Sequence, residues 1–219
     1  MILAEELVLL GYGDRGDPVV AGVGLDFGLA GAVLVELALA GRVEVADGML
    51  TVVDRAPTGD PVLDATLARI AEREPPRTPK DWVGDLRTGL REQILGRLVG
   101  AGVLRREPGR VLWVFPATRY PSASGEQPPA EVEIRRRLLD AIEGDGPVDE
   151  RAAALCALVR ASRLEQEVFG DLPKDRVAAR LTEIGTGDWA AESVKRAVAE
   201  LDAALVAALT VVAVITAAG

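Results

Sequence analysis

The side chains able to do chemistry in this 219-residue chain are carboxylates and guanidiniums: 34 Asp and Glu stand against 25 basic residues, 22 of them Arg, with one cysteine and no histidine. Without histidine the usual general base, the Ser–His and Cys–His pairs and nearly every zinc site are missing. Cys156 sits in the apolar run Ala152–Val159, the setting of a packed, inert thiol, and a single cysteine excludes an intramolecular disulfide. No D-x-D or E-x-x-E pair stands in a glycine-rich pocket context. Gly11/Gly13 and Gly22/Gly24 form no nucleotide fingerprint either, because no G-x-G-x-x-G opens a helix after a strand. These residues predict no enzyme activity, no catalytic residues, no metal and no cofactor.

Anion binding is the chemistry left. From Leu86 to Arg119 the arginines at 87, 91, 97, 105, 106, 110 and 119 face only Glu92 and Glu107, a local balance of +5 in a chain of net charge −9. Arg87 and Arg91 are four residues apart, one turn on a helix face, and guanidinium forks suit phosphate. The same segment holds Val111, Leu112, Trp113, Val114 and Phe115, an apolar stretch with two of the few aromatics. An apolar tip with basic flanks is what contact with an anionic membrane needs, at roughly 1 kcal/mol per basic residue near the surface. It is equally the pattern of a strand packed on the core or of an oligomer contact. Arg135-Arg136-Arg137 is a second basic cluster, read as a solvated helix face or part of an anionic-ligand surface.

The elements that would position these groups are mostly helical. Hydrophobic residues make up 49% of the chain and aromatics 4%, leaving Ala, Val and Leu to fill a core, which suits close-packed helices. Ile2–Leu10 reads as a short amphipathic helix, Gly11–Gly24 as a loop and Leu29–Ala40 as an apolar helix stopped by Gly41. A hairpin follows around Asp47-Gly48. Pro61 opens a helix that ends before Pro75-Pro76. Thr78-Pro79 opens a long one through Trp82, Leu90 and Leu98. A second hairpin is expected with Glu107-Pro108-Gly109 as its turn and Val111–Phe115 as its return strand. After a Pro/Ser/Gly break at 121–129, helices are expected over Glu131–Ile142, Asp149–Phe169, Lys174–Ile184 and Trp189–Ala218. The uncharged run from Ala203 to Ala218 is about 16 residues, short of the ~20 needed to span a bilayer, and reads as a buried helix. Glu5 and Glu6 within the first apolar run argue against a signal peptide. The fold class is thus mainly α: a single domain over 1–219, a central helix bundle with surrounding amphipathic helices and two small β-hairpins, and a flexible loop at about 121–129. The strong preference for Arg over Lys, with much Ala and Gly, is the coding bias of a GC-rich bacterial genome.

Four collinear segments carry a family resemblance. They are Gly28-Leu29-Ala30-Gly31 leading to Leu34–Arg42; Ala56-Pro57-Thr58-Gly59-Asp60 with Leu63-Asp64, Pro75-Pro76 and Trp82; Leu90-Arg91-Glu92 through Gly102-Val103-Leu104 to Phe115; and Asp149-Glu150-Arg151 through Ala161-Ser162 to Val168-Phe169. Together they resemble the Golgi phosphoprotein 3 family over nearly the full length. The resemblance implies a helical domain with a projecting hydrophobic hairpin that enters the membrane or mediates homo-oligomerisation. It further implies binding of phosphatidylinositol 4-phosphate and recruitment of the cytosolic tails of membrane enzymes, in a cytoplasmic protein peripheral on the inner face of the membrane. In the family the headgroup pocket uses a loop Trp, an Arg in the G-L-R-G motif and two basic residues on the long helix. The corresponding positions here are Ala21, Ala30, Thr88 and Arg91, so only Arg91 is kept, with Arg87 as a partial substitute. The expectation is therefore a non-enzymatic peripheral membrane or adaptor protein with a degenerate headgroup site at Arg91 and Arg87. The repeated order helix, Gly, strand, turn, strand at Leu34–Val53 and Ile94–Phe115 also leaves open a winged-helix DNA-binding regulator, although a pI near 4.7 disfavours nucleic acid.

Overall fold

The structure is a computed structural model that describes residues 1–20, 22–111, 115–187, 198–201 and 203–207. It is mainly α with two separate antiparallel hairpins. Helices α1 (Leu3–Gly11) and α2 (Gly22–Leu39) lie at the centre. α2 packs against α3 (Pro61–Ala71), α4 (Pro79–Leu86) and α5 (Leu90–Gly100), and α1 also meets α5. α6 (Pro129–Glu143), α7 (Glu150–Ala161) and α8 (Glu165–Phe169) pack on α1, and α9 (Lys174–Thr186) packs on α6 and α7. One hydrophobic cluster runs from Ile2 to Leu205.

The caps follow from the sequence. Asp60 accepts from the Val62 and Leu63 amides ahead of Pro61, Thr78 accepts from Asp81 ahead of Pro79, and Asp149 accepts from Arg151 and Ala152. α2 and α5 end alike: the Gly41 and Gly102 amides reach Ala38 and Val99, and the Arg42 and Val103 amides reach Leu37 and Leu98. Both glycines have positive φ, and the bond pattern is that of a Schellman cap. This shared ending, followed by hairpin β1 (Val43–Ala46) with β2 (Met49–Val52) in one case and by a hairpin further on in the other, is the physical content of the internal repeat.

Several boundaries differ from the sequence reading. α2 begins at Gly22, so its first two turns replace part of the expected loop. The long helix from Pro79 is two helices, because Gly89 takes φ +77 between them. Asp149–Phe169 is likewise broken, at Arg163 with φ +59. The second hairpin is shifted: β3 (Glu107–Val111) pairs with β4 (Phe115–Arg119) from Glu107↔Arg119 to Val111↔Phe115, so Glu107-Pro108-Gly109 lies in a strand and not in the turn. Leu112, Trp113 and Val114 lie outside the described residues, as does most of the expected C-terminal helix. Residues 198–201 and 203–207 are helical, and Leu205 is buried.

α1 is the sharpest departure. It is buried on every side, Glu5 and Glu6 included, rather than amphipathic. Glu5 accepts from the Ile2 amide at 2.9 Å and from Arg97 Nε at 2.9 Å. Arg97 in turn holds both oxygens of Asp60, at 2.9 and 2.6 Å. Glu6 is held by Arg137 and by Arg151 Nε at 2.9 Å, while Arg151 also reaches Glu36 at 2.7 Å and the Met1 carbonyl at 2.9 Å. Glu36 accepts from the Leu3 amide at 2.6 Å.

Two consequences are measurable. Arg151→Ala leaves Glu6 and Glu36 short of a partner and should cost about 3–5 kcal/mol, a Tm drop on the order of 10 °C, whereas Arg136→Ala, which removes exposed pairs to Glu133 and Asp140, should change stability by under ~1 kcal/mol. Calorimetric scans of both variants check this. For Asp60, burial raises the pKa, but the Arg97 hydrogen bonds and the two cap amides outweigh it and hold the carboxyl below its ordinary value. The unfolded chain therefore binds a proton at higher pH than the folded one. The stabilisation is complete above the ordinary aspartate range and is lost as pH falls through the folded pKa. Asp60→Asn should lower Tm at pH 7 and flatten its fall in acid.

Candidate anion-binding site

Arg87 and Arg91 are brought together, though not on one helix. Arg87 is the C-cap of α4 and Arg91 lies in the first turn of α5, with the Gly89 turn between. Both face the N-terminal part of α2. The Arg87 guanidinium carbon stands 4.9 Å from the centre of the Phe27 ring, a cation–π contact. Arg91 Nη2 lies 2.7 Å from Asp26 Oδ1 and also hydrogen-bonds the Tyr12 side chain. Tyr12 meets Tyr120 edge-to-face at 6.1 Å.

The site thus carries its own anion. Asp26 occupies the guanidinium that a phosphate would need. Burial raises the Asp26 pKa and outweighs the opposing pull of Arg91 and Arg87, with Glu92 adding to the rise. Burial likewise raises that of Tyr12 against the influence of Arg91. The folded state therefore disfavours charged Asp26, and its contribution to stability falls as pH rises from the ordinary aspartate range through the folded pKa. Of the other expected pocket positions, Thr88 is exposed, Ala30 is fully buried in the core and Ala21 lies outside the described residues.

The wider positive segment is quieter than its sequence suggests. Arg97 binds Asp60 and Glu5, Arg105 binds Glu107 at 2.6 Å, and Arg119 binds Asp17 at 3.0 Å. In the second cluster Arg135 holds Glu131, Arg136 holds Glu133 and Asp140, and Arg137 goes inward to Glu6; all three lie in mid-helix of α6. Asp26 escaped the sequence reading, and Arg97, Arg137 and Arg151 were read without their partners, because those partners are distant in the chain. Cys156 is buried and its thiol pushed up to about 12 by desolvation, which keeps it protonated. No group of residues able to hold a metal occurs among the described residues, and no helix among them is long and apolar enough to cross a membrane.

The first and last residues of the G-L-x-G segment have a packing role. A Cβ at Gly28 would fall 2.0 Å from Ser162 Oγ, and one at Gly31 would fall 2.7 Å from Leu205. Glycine there lets the end of α7 and the C-terminal helical residues close on α2. That burial bears on the winged-helix reading: α2 is enclosed from Leu25 through Ala38 except at Asp26 and Glu36, so it has no face to lay in a groove.

A helical core, this motif and a hairpin after α5 define a Golgi phosphoprotein 3-type protein, and the sequence matches that family, described as "Golgi phosphoprotein 3 (GPP34)", over residues 3–201. The chain belongs to the Golgi phosphoprotein 3 family. It is similar to "Vacuolar protein sorting-associated protein 74" of Eremothecium gossypii, 29% identical over 168 residues that cover 65% of this chain and 49% of the relative. The chain spans about half the length of that curated relative.

Replacing Asp26 by Asn removes a carboxylate whose charge the fold disfavours. Its Tm at pH 7 should match or exceed the parent, the opposite sign to Asp60→Asn, and a pH series of thermal melts separates the two.

Proposed function

We propose that residues 1–219 act as one domain, a non-enzymatic peripheral membrane or adaptor protein whose headgroup site is held closed by its own carboxylate. The observation that carries this reading is the 2.7 Å pair between Arg91 and Asp26 at the helical position that aligns with the family's lipid pocket. A phosphomonoester headgroup would displace Asp26 from Arg91 and meet Arg87 beside it. Two guanidiniums without the aromatic and without the motif Arg make a weak anion site, so selectivity for phosphatidylinositol 4-phosphate is reduced relative to the eukaryotic members.

Val111, Leu112, Trp113, Val114 and Phe115 supply the second contact, an apolar hairpin end that inserts into the interface or joins two copies. The support is the pairing Val111↔Phe115, which brings the two ends of this stretch side by side. An adaptor also needs a place for a protein client. Tyr12 and Tyr120 line a cleft of about 760 Å³ that presents both signs of charge, through Asp14, Glu131, Arg105 and Arg135, and suits a polar cytosolic tail. The setting is cytoplasmic, on the inner face of a bacterial membrane.

Vesicle flotation tests the reading with neutral, phosphatidylglycerol/cardiolipin and phosphatidylinositol 4-phosphate-doped vesicles. Asp26→Ala should raise binding to the phosphoinositide vesicles by about tenfold, the size of one charge-assisted hydrogen bond, and Arg91→Ala should remove the gain. Trp113→Ser with Phe115→Ser should abolish flotation on every anionic vesicle without lowering Tm. Parent and Asp26→Ala proteins that both fail to float would overturn the membrane reading.

A further inference from the structure

A second cationic cleft lies away from Arg91. Four elements frame it: β2, the end of α3, the Pro75-Pro76 loop and the start of α4. The cleft has a volume of about 180 Å³, well below the ~300–1,000 Å³ of sites for drug-sized ligands, so a guest must be small. Arg55, Arg73, Arg77 and Trp82 line it, with Glu74 as the one carboxylate of the lining. Leu50 and Arg77 are joined by a backbone bond of 2.9 Å, which fixes the wall between β2 and the loop.

The charge here runs against that of the whole chain. Besides the three lining arginines, Arg69 stands 6.0 Å from the Trp82 ring, matching Arg77 at 5.9 Å. Two carboxylates oppose these four guanidiniums: Glu74 in the lining and Asp85, which Arg77 holds. Arg55 gives one N–H to the Ala71 carbonyl at 3.3 Å, and its remaining donors have no partner among the described residues. Arg73 is exposed and has no ion pair among the described residues.

An independent feature points the same way. Trp82 is 3% exposed, and its indole Nε1–H is a buried donor with no acceptor among the described residues. Buried donors are almost always satisfied, and leaving one unmade costs about 1–3 kcal/mol. Trp82 also lines the arginine cleft, so its indole N–H is the group whose surroundings a bound anion there would change.

We infer that this cleft is a second anion site that takes a small phosphate dianion, either free phosphate or the phosphomonoester of a lipid headgroup. An excess of two positive charges matches the dianion that a phosphomonoester becomes above its second pKa of about 6. Arginine forks match its oxygens. Arg55 and Arg73 are exposed and come from different elements, the segment after β2 and the end of α3, so a guest held by both would bridge the β1–β2 hairpin to α3.

Titration of the 15N-labelled full chain with inorganic phosphate tests this, read at the indole N–H resonance of Trp82, which Trp82→Phe identifies. The resonance should move saturably with phosphate and not with chloride. Arg55→Glu with Arg73→Glu, both at exposed positions, should weaken the response by about tenfold or more with Tm unchanged. Arg91→Ala should leave it intact, which separates this site from the headgroup site. Flotation in the Arg91→Ala background on phosphatidic acid against phosphatidylglycerol vesicles distinguishes the source. Arg73-dependent preference for phosphatidic acid assigns a lipid headgroup, and a phosphate response without such flotation assigns a soluble phosphate. A Trp82 resonance that does not move, or that moves equally in the Arg55→Glu/Arg73→Glu protein, overturns the site.

Discussion

The burial of α1 with two adjacent carboxylates is the constraint on which the rest of the fold depends. Taking Glu5 and Glu6 out of water costs several kcal/mol each unless cations follow them in. The cations come from Arg97 on α5, Arg137 on α6 and Arg151 on α7. Each arrives from a different part of the chain, so satisfying two side chains on one helix fixes three others around it. Glu36 and Asp60 extend the lattice to α2 and to the cap of α3. Hydrophobic burial drives these helices together without direction, and the ion pairs define which face of each helix turns inward.

That lattice accounts for the Ala56–Asp64 motif. Thr58 gives its amide and hydroxyl to Asp64 at 2.6 and 2.7 Å, Asp60 caps α3, and the same Asp60 receives both arms of Arg97. The segment is a clamp that docks α3 onto α5 and, through Glu5, onto α1. Its residue types resemble those of a reactive loop, but every polar atom named here is engaged by the fold.

Periodicity and punctuation made much of this legible in the sequence. Pro61, Pro79 and Asp149 marked helix starts, Gly41 marked a helix end, and the first hairpin was set by Asp47-Gly48. Other features were not legible, for physical reasons. Leu90 and Leu98 continue the apolar spacing of Trp82 and Leu86, so only the backbone at Gly89, not the pattern, breaks the helix. Glu107-Pro108-Gly109 has the composition of a turn, yet cross-strand pairing with Ala117, Thr118 and Arg119 keeps it extended. Glu5 and Glu6 read as a polar face because their compensating arginines lie 92 to 145 residues away. The candidate site was legible only in part: Arg87 and Arg91 could be picked out locally, but the acid paired with Arg91 comes from α2.

A local charge balance is therefore a poor guide to affinity in this fold. The +5 segment is closed largely by Glu5, Asp17, Asp26 and Asp60 from outside it. With a net charge of −9, the chain as a whole is repelled by an anionic surface, and beyond a Debye length of about 8 Å at physiological salt no local patch is felt. At Arg91 a phosphate would be drawn in only within contact range and by displacing Asp26. Selectivity then rests on the exchange itself: a phosphomonoester offers two charges and three oxygens where Asp26 offers one charge and two oxygens, whereas a phosphodiester offers the same single charge as the carboxylate it must remove. In the proposed reading, a self-occupied site would favour the doubly charged headgroup over singly charged lipids, so the internal carboxylate would be a source of discrimination as well as a loss of affinity.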